Sequence, residues 1–292
     1  MKAGNDVVSR DNPRPFVKWA GGKRQLLKEL TRRLPKSGKY KCMNYFEVFG
    51  GGGALLFSLD KNEVCRKLHF SDSNEELINA YCVIRDDVEN LIKSLSSHKT
   101  DKDYFYKIRA WDRSLGYSRR TNLNRASRFI YLNKTAYNGL YRVNAEGKFN
   151  VPYGKYPKPK ILDAGNLRAC SAFLKDVRIS VADFAQTLKQ VSPFDFVYMD
   201  PPYAPVSRTS SFTSYTSKGF GKPEQNRLKD FCLSLHERGA LFMLSNSSAP
   251  WVVDLYRKEK EFAVEKVRAR RSVNCKSEGR GGVTEIIVRN YR

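Results

Sequence analysis

The 292-residue sequence predicts an α/β fold whose sheet is interrupted by one basic, mainly helical insertion. Three observations support this fold class. A strand, a glycine-rich turn and a second strand follow one another between residues 44 and 72. From about residue 165, apolar strand-like runs again alternate with helical periodicity. The last two predicted strands, 262–268 and 283–290, have no helix between them and should form an antiparallel hairpin.

The first unit is a predicted strand at 44–49 that runs into four glycines, Gly50 to Gly53, after which residues 54–59 open a helix. A second strand, 67–71, ends at Asp72. Glycine lets a backbone approach a ligand closely, and Asp72 follows Gly52 by 20 residues, near the spacing at which an acid binds ribose hydroxyls. Because a clean G-x-G-x-x-G is absent, an adenosyl ligand without pyrophosphate is favoured over a dinucleotide. A plain flexible loop is the alternative.

The region from 74 to about 160 carries the predicted insertion. Helical periodicity covers 74–95, and shorter helices are predicted at 104–111 and 125–133, followed by an irregular stretch, 133–144. Residues 101–160 hold 14 Lys and Arg against 4 Asp and Glu, a net charge of +10, with aromatic residues interleaved. This pattern is typical of surfaces that neutralise phosphates and stack bases.

After the insertion the α/β pattern resumes. Its remaining elements are predicted as strands at 177–181, 195–199 and 240–245 and helices at 166–174, 223–236 and 250–258. The Ser/Thr-rich segment 207–220 is long enough to form a lid or simply a loop.

Composition points to a nucleic acid partner. Lys and Arg number 53 against 30 Asp and Glu, which gives a net charge of +23 and a pI near 9.8. An anionic membrane is the rival partner, but the sequence has no amphipathic anchor and no run of roughly 20 apolar residues. Six scattered cysteines without a Cys-x-x-Cys pair and three histidines indicate reduced thiols and no metal centre. The leader, 1–11, has no signal-peptide core, so a cytoplasmic protein is predicted.

The most informative residues are Asp200, Pro201, Pro202 and Tyr203, which follow the apolar run 194–199. The carboxylate and the carbonyls of this turn are hydrogen-bond acceptors, and the prolines add no N–H donors. Such a turn suits a flat amino-bearing group, for example a base extruded from DNA. An ordinary strand-to-loop turn is the alternative. Since ligands of such sheets bind at the carboxyl ends of the strands, the glycine turn, Asp72 and Asp200 should meet at one edge.

Together these motifs resemble the Dam-type, D12-class DNA adenine-N6 methyltransferases over about residues 15–290. The resemblance rests on Phe16–Lys23, Phe46–Ala54, Asp72–Asn74 and Asp200–Tyr203 in the family's order. Two further segments, Tyr137–Arg142 and Phe149–Tyr156, are similar to the target-recognition segment of members that methylate adenine in GATC. The sequence departs from the family at Val48 and Gly50, where Pro and Val are usual, and at Pro157, where a basic residue is common.

The resemblance implies a Rossmann-like S-adenosylmethionine-dependent methyltransferase sheet. It divides the chain into a first catalytic part, 1–73, a target-recognition region, 74–163, and a second catalytic part, 164–292. The implied donor is S-adenosylmethionine, and no metal is needed. Double-stranded DNA is the expected partner, a cognate restriction endonuclease is a further candidate, and the protein should be a monomer or weak dimer. The implied cofactor-binding residues are Trp19, Lys23, Phe49, Gly50, Gly51, Gly52, Asp72, Asp183 and Asp200.

In the implied chemistry, Asp200 accepts an N–H of the target amino group and a carbonyl of the Pro201–Pro202 turn accepts the other, while Tyr203 stacks on the flipped base. The implied DNA-binding residues are Lys18, Tyr137, Asn138, Leu140, Arg142, Pro152 and Lys155. Arg142 is the candidate for a bidentate contact with guanine, a contact worth roughly 1–3 kcal/mol. Arginines more often contact phosphate, and Tyr137 and Trp19 have ordinary packing as their alternative roles.

Three other functions stay open from the sequence. A cytosine-N4 methyltransferase would use the same chemistry but usually carries Ser-Pro-Pro-Tyr, where this chain has Asp200. A glutamine-N5 protein methyltransferase usually carries Asn-Pro-Pro-Tyr and does not explain the charge of +23. A catalytically silent DNA-binding protein is the third alternative.

Overall fold

A single mixed sheet of seven strands, in the order β3-β2-β1-β4-β5-β7-β6, forms the centre of the molecule. The computed structural model describes residues 12–19, 21, 23–35, 44–60, 67–203, 220–269 and 283–292. The strands are β1 Asn44–Glu47, β2 Lys67–Asp72, β3 Val177–Val181, β4 Phe196–Met199, β5 Leu241–Ser247, β6 Ala263–Ala269 and β7 Val283–Arg289.

The first five strands are parallel, and β7 runs antiparallel to both of its neighbours, β5 and β6. The predicted C-terminal antiparallel hairpin is therefore confirmed. From β1 the chain order proceeds outward to β2 and β3 on one side and to β4 and β5 on the other. The carboxyl ends of β1 and β4 thus flank the topological switch point, where ligands of such sheets bind.

Alternation of side chains along each strand supplies a core on both faces of the sheet. Tyr45 and Tyr198 face one core, whereas Phe46, Val197 and Met199 face the other. All four residues of β4 and all seven of β5 are buried, as is typical of strands covered by helices on both faces.

The helices are α1 Leu27–Thr31, α2 Glu75–Asp86, α3 Val88–Ser96, α4 Lys102–Arg109, α5 Asn122–Thr135, α6 Ala164–Leu174, α7 Lys222–Glu237 and α8 Pro250–Arg257. The helical periodicity over 74–95 corresponds to two helices, α2 and α3, because Asp87 between them leaves the helical region with φ −147°. Asn74 begins α2 by accepting a hydrogen bond from the Leu77 N–H.

The helix predicted at 54–59 is also shorter than expected. Only a 3₁₀ turn forms, Leu56–Ser58, and Leu59 already has an extended backbone. The Ser58 hydroxyl donates to the Leu55 carbonyl at 2.7 Å. Serine side chains that bond nearby backbone in this way compete with helix continuation.

Helices α2 to α5 lie within residues 74–163, so the region predicted as the insertion is mainly helical. Its irregular part contains a 3₁₀ turn, Tyr137–Gly139, and isolated bridges Ala136–Tyr153 and Val143–Phe149. Helix α2 contacts both parts: Glu76 pairs with Arg125 of α5, and Arg85 donates to the Val177 carbonyl of β3. The domain division at residues 73 and 163 stays a prediction.

The proposed lid, 207–220, lies outside the described residues except for Phe220. No helix in the described part of the chain is both long and apolar enough to cross a membrane.

Candidate active site

Strand β4 delivers Asp200 to the switch point, and three other polar side chains surround it. Lys23 Nζ lies 2.9 Å from Asp200 Oδ1 and 3.5 Å from Glu285 Oε2. The Tyr203 hydroxyl donates to Glu285 Oε2 at 2.5 Å, and Lys23 Nζ lies over the Tyr203 ring, 4.1 Å from its centroid. We call Lys23, Asp200, Tyr203 and Glu285 the ion cluster. The Lys23 side chain is only 5% exposed, so the cluster is screened little by solvent.

Asp200 Oδ1 is buried, and it is paired at 2.9 Å with the Lys23 ammonium. An ionised carboxylate offers about four acceptor positions on its two oxygens, so one ammonium contact leaves acceptor capacity unused. Buried polar groups with unused capacity are uncommon in folded proteins and often mark a functional site. Asp200 therefore presents acceptor capacity at the edge of the sheet.

Burial sets the protonation states around this position. Burial, assisted by the carboxylate of Glu285 and opposed by Lys23, raises the pKa of Asp200 to about 6. Burial also raises the pKa of Glu47, at the end of β1, to about 8, even though the Tyr45 hydroxyl donates to it at 2.5 Å. At neutral pH, Asp200 is mostly ionised and Glu47 mostly protonated.

The glycine turn lies beside the ion cluster and is held by Asp72. Gly51 N–H donates to Asp72 Oδ2 at 3.0 Å, and Asn74 N–H donates to Oδ1 at 2.9 Å. Burial raises the pKa of Asp72, and these backbone donors oppose that shift. Gly51 has φ +50°, and a Cβ there would lie 2.7 Å from Trp19 Cδ1. Glycine is therefore required for both conformation and space.

Gly50, one of the departures from the family pattern, has its own structural reason. A Cβ at this position would lie 2.3 Å from the Phe70 ring. The Phe70 ring thus occupies the space that a larger residue at position 50 would need, and the Gly50 N–H donates to the Ser71 carbonyl at 2.9 Å. The backbone path of the turn is maintained by this packing.

Phe49 and Asp183 lie farther along the same edge. The Phe49 ring stacks on Phe184 with centroids 5.2 Å apart. Asp183 caps the short 3₁₀ helix Phe184–Lys189 by accepting from Ala185 N–H, and it forms an ion pair with Arg227. Asp183 is half exposed in this arrangement, so the structure gives it a capping role and leaves its assignment to the cofactor as a prediction.

The residues predicted to bind DNA lie on the helical insertion and the N-terminal segment. They form what we call the recognition surface: Lys18, Tyr137, Asn138, Leu140, Arg142, Pro152 and Lys155. Tyr137 N–H donates to the Pro152 carbonyl at 2.9 Å. The Tyr137 side chain is 48% exposed, and Asn138 and Lys155 both have positive φ, 56° and 54°. Such conformations cost energy in residues other than glycine and concentrate at binding sites.

Arg142 is oriented by its neighbour across a short hairpin. Its Nε donates to Asn150 Oδ1 at 2.8 Å, and its carbonyl accepts from Asn150 N–H at 3.0 Å. The adjoining bridge between Val143 and Phe149 keeps the two segments antiparallel. The guanidinium is half-buried and held by one edge, an arrangement that suits a directed contact with a planar acceptor pair.

Two carboxylates of the site were missed from the sequence. Glu285 reaches the ion cluster from β7, and Glu47 lies at the end of β1. Each lies in a strand beside apolar residues. An acidic residue in such a strand is itself a signal of a functional site, because charged side chains are rarely buried without a partner. Among the described residues, no group of three or more His, Cys, Asp or Glu side chains could hold a metal ion.

Comparison with known proteins identifies the family. The model of the D12 class N6 adenine-specific DNA methyltransferases matches residues 19–272. The Type II methyltransferase M1.LlaDCHI of Lactococcus lactis subsp. cremoris is 43% identical over 284 residues, 96% of each chain. The Type II methyltransferase M.MjaIII of Methanocaldococcus jannaschii is 44% identical over 290 residues, covering 95% of this chain and 99% of the relative.

The DNA adenine methylase of Escherichia coli K12 is 31% identical over 280 residues, 94% of each chain. These matches span nearly the whole sequence and include both the glycine turn and the Asp200 turn. They set aside the cytosine-N4 and glutamine-N5 alternatives. The chain therefore belongs to the D12 class N6 adenine-specific DNA methyltransferases and is an enzyme of DNA adenine methylation.

Proposed function

We propose that the enzyme moves a methyl group from S-adenosylmethionine to N6 of an adenine that has been extruded from double-stranded DNA, within the sequence GATC. The observation that carries the chemical part is the buried Asp200 carboxylate at the switch point, which is paired with the Lys23 ammonium and followed by two prolines that have no N–H. An exocyclic amino group is a donor that the remaining acceptor positions of this carboxylate can receive.

Asp200 and the turn that follows it would act on the amino group. Asp200 accepts one N–H and a carbonyl of the Pro201–Pro202 turn accepts the second. These bonds draw the nitrogen lone pair out of conjugation with the ring and aim it away from the plane. The prolines contribute no competing N–H donors. Positioning and electrostatics of this type lower the barrier without a covalent intermediate.

S-adenosylmethionine, when bound, supplies an electrophilic methyl group on a sulfonium. The residues present fit such a ligand: the glycine turn offers close backbone approach, Asp72 retains lone pairs for ribose hydroxyls, and Trp19 and Phe49 offer aromatic faces. Lys23 would offset part of the negative charge of Asp200 and Glu285, since its ammonium pairs with both carboxylates. Asp183, after β3, completes the proposed cofactor residues.

Nitrogen that has gained a methyl group must also lose a proton. Ionised Asp200, with a pKa of about 6, is the base already in contact with one of those N–H groups. Transfer of that proton to Asp200 leaves neutral N6-methyladenine and a protonated carboxyl, which then releases the proton as products leave. Tyr203 stacks on the base, and Lys23 covers one face of the Tyr203 ring.

Target choice is the finer part of the proposal. The GATC assignment rests on the similarity of Tyr137–Arg142 and Phe149–Tyr156 to members of the family with that target. Arg142, oriented by Asn150, is proposed to contact guanine O6 and N7. Tyr137 is proposed to fill the gap left by the extruded base, and Lys18 to contact the neighbouring DNA. Asn138, Leu140, Pro152 and Lys155 complete the proposed contacts.

Two relatives are named Type II methyltransferases, which supports a restriction endonuclease that cuts the same site as the functional partner. The proposal further places the enzyme in the cytoplasm, as a monomer or weak dimer. The net charge of +23 supports DNA as the binding partner.

The test is transfer of a labelled methyl group from S-adenosylmethionine to three duplexes with the same flanks. One carries a single GATC, one carries GAAC paired with GTTC, and one carries GATC already methylated on both adenines. Label on the first alone, recovered as N6-methyladenine, is the expected result. Label on the first two would keep the chemistry and discard the target. Label on none, with DNA still bound, would favour a silent DNA-binding protein.

A further inference from the structure

Asn133, near the end of α5, makes an unusual set of contacts for a helical residue. It is completely buried, and its side chain bonds only to backbone groups of other segments. Its Oδ1 accepts from Lys18 N–H at 2.8 Å, and its Nδ2 donates to the Lys18 carbonyl at 2.7 Å. The same Nδ2 donates to the Gly139 carbonyl at 2.9 Å. One amide thus joins the N-terminal segment to the turn Tyr137–Gly139.

Both segments that Asn133 joins belong to the recognition surface, and they also touch each other. A Cβ at Gly139 would lie 2.4 Å from Lys18 Cδ and 3.1 Å from Lys18 Cβ. The Lys18 ammonium extends to 5.4 Å from the centroid of the Tyr156 ring. The turn carries the exposed Tyr137. Two kinds of contact therefore set the spacing between Lys18 and the turn: the hydrogen bonds of the Asn133 side chain to both, and the packing of the Lys18 side chain against Gly139.

A second asparagine provides an internal comparison. Asn166, on α6, accepts from Arg14 N–H at 2.9 Å and donates to the Arg14 carbonyl at 3.0 Å, and its side chain is 6% exposed. It therefore pairs with the backbone of the same N-terminal segment, four residues earlier than Lys18. The Asn166 side chain bonds only to Arg14 among the described residues, whereas the Asn133 side chain bonds both to Lys18 and to Gly139 in the turn Tyr137–Gly139.

From this difference we infer that Asn133 is a positioning residue for sequence discrimination: it holds Lys18 and the turn Tyr137–Gly139 at the spacing in which both can contact one DNA site. The inference rests on the proposed function, because it requires that these two elements read DNA. Asn133 does not contact the ion cluster, so its effect should fall on the choice of sequence more than on the chemical step.

The experiment compares Asn133→Ala with Asn166→Ala as the matched control. Both changes remove an amide that pairs with the backbone of the N-terminal segment, so both should lower the melting temperature. Single-turnover methylation is measured on a GATC duplex and on duplexes altered at the first or last base pair of the site, at a temperature where circular dichroism shows each variant folded. For each duplex the single-turnover rate constant is divided by the half-saturating concentration in the titration, and the quantity compared is the ratio of these values between GATC and the altered duplexes.

For Asn133→Ala we expect this ratio to fall by about tenfold or more, a loss comparable to that of one good base contact. For Asn166→Ala the ratio should stay within about twofold, since Lys18 and the turn keep their spacing. Equal losses in the two variants, or equal slowing of Asn133→Ala on every duplex, would overturn the inference and leave Asn133 with a purely structural role.

Gly139→Ala is the second variant, and it keeps the inference testable if Asn133→Ala fails to fold. Gly139 has φ +65°, and the added methyl would meet Lys18, so this change displaces the two elements while leaving the Asn133 side chain intact. The same fall in the ratio is expected, and an unchanged ratio would contradict the inference. Wild-type enzyme that methylates all duplexes equally, or none, would overturn the proposed function, a result distinguishable from failure of the variants alone.

Discussion

The ion cluster and the recognition surface hold their charged groups in opposite ways. In the ion cluster, Lys23, Asp200 and Glu285 are largely removed from solvent and are each other's partners. On the recognition surface, Lys18 and Lys155 are exposed; the Lys18 ammonium lies 5.4 Å from the centroid of the Tyr156 ring, and Lys155 has a positive φ of 54°. Buried charges are tuned by desolvation and by their neighbours, whereas exposed cations stay hydrated until a polyanion replaces the water.

The difference predicts a separation of effects. Changes in the ion cluster should alter the rate of methyl transfer and its pH dependence, with little effect on which sequence is chosen. Changes on the recognition surface should alter sequence choice and salt dependence, with little effect on the chemical step once DNA is bound.

The largest effect should come from Asp200→Ala. Loss of the acceptor at the reacting nitrogen should lower the single-turnover rate by at least about 10³-fold, as expected for removal of a preorganised electrostatic contact. DNA affinity, measured by fluorescence anisotropy, should stay within a few-fold of wild type, because the basic surface is unchanged. A rate near that of the wild type, or complete loss of DNA binding, would contradict the proposed separation between the ion cluster and the recognition surface.

Salt should have an effect of similar size, and only on the binding side of the comparison. If the basic insertion contacts about 6–10 phosphates, DNA affinity should fall by about 10³–10⁵ between 50 and 200 mM salt. The single-turnover rate at saturating DNA should change far less over the same range, since the ion cluster is buried. A flat binding curve would contradict the assignment of the insertion to DNA.

Arg142→Ala should relax discrimination at one guanine position by roughly 5- to 150-fold, the equivalent of about 1–3 kcal/mol. Arg142→Lys is the informative control, because it keeps the charge and loses the planar pair of donors. The measurement is kcat/KM on duplexes with each guanine replaced in turn. Equal losses on specific and unrelated duplexes would identify Arg142 as a phosphate contact instead.

The smallest predicted effect is a displacement of the pH profile. Because burial raises the pKa of Asp200 to about 6, its acceptor form is present above that pH and is lost below it, so the single-turnover rate should fall as pH drops through about 6. Glu285→Gln removes an anion that raises this pKa and should move the acid limb to lower pH. Lys23→Met removes the cation that lowers it and should move the limb to higher pH. Movement of both variants in one direction would contradict the electrostatic description.

The sequence was sufficient to predict the elements whose signals are local. Composition alone predicts the glycine turn, the strands on either side of it and the Asp200 turn. The C-terminal hairpin follows from the lack of a helix between two predicted strands. What could not be read is contact over long separations. Glu285 meets Tyr203 across 82 positions, and nothing beside it in the chain points to that partner.

The recognition surface illustrates the same limit in another form. Arg142 and Tyr137 were found through resemblance to a family segment, but Asn133 looks like an ordinary polar residue in a helix, where it is expected to face solvent. Two of its three bonds to backbone depend on Lys18, 115 positions away, and the third joins it to Gly139. The break at Asp87 is likewise not signalled by the sequence, since the apolar periodicity continues through it.

The position of β7 has a consequence for how the enzyme matures on the ribosome. Strand β6 is made first but lies at the sheet edge beyond β7, so within the described sheet it has no partner until β7 emerges. Strand β7 also carries Glu285 into the ion cluster. Pairing of β6 and completion of the ion cluster therefore both wait for β7, the last strand of the chain to be made.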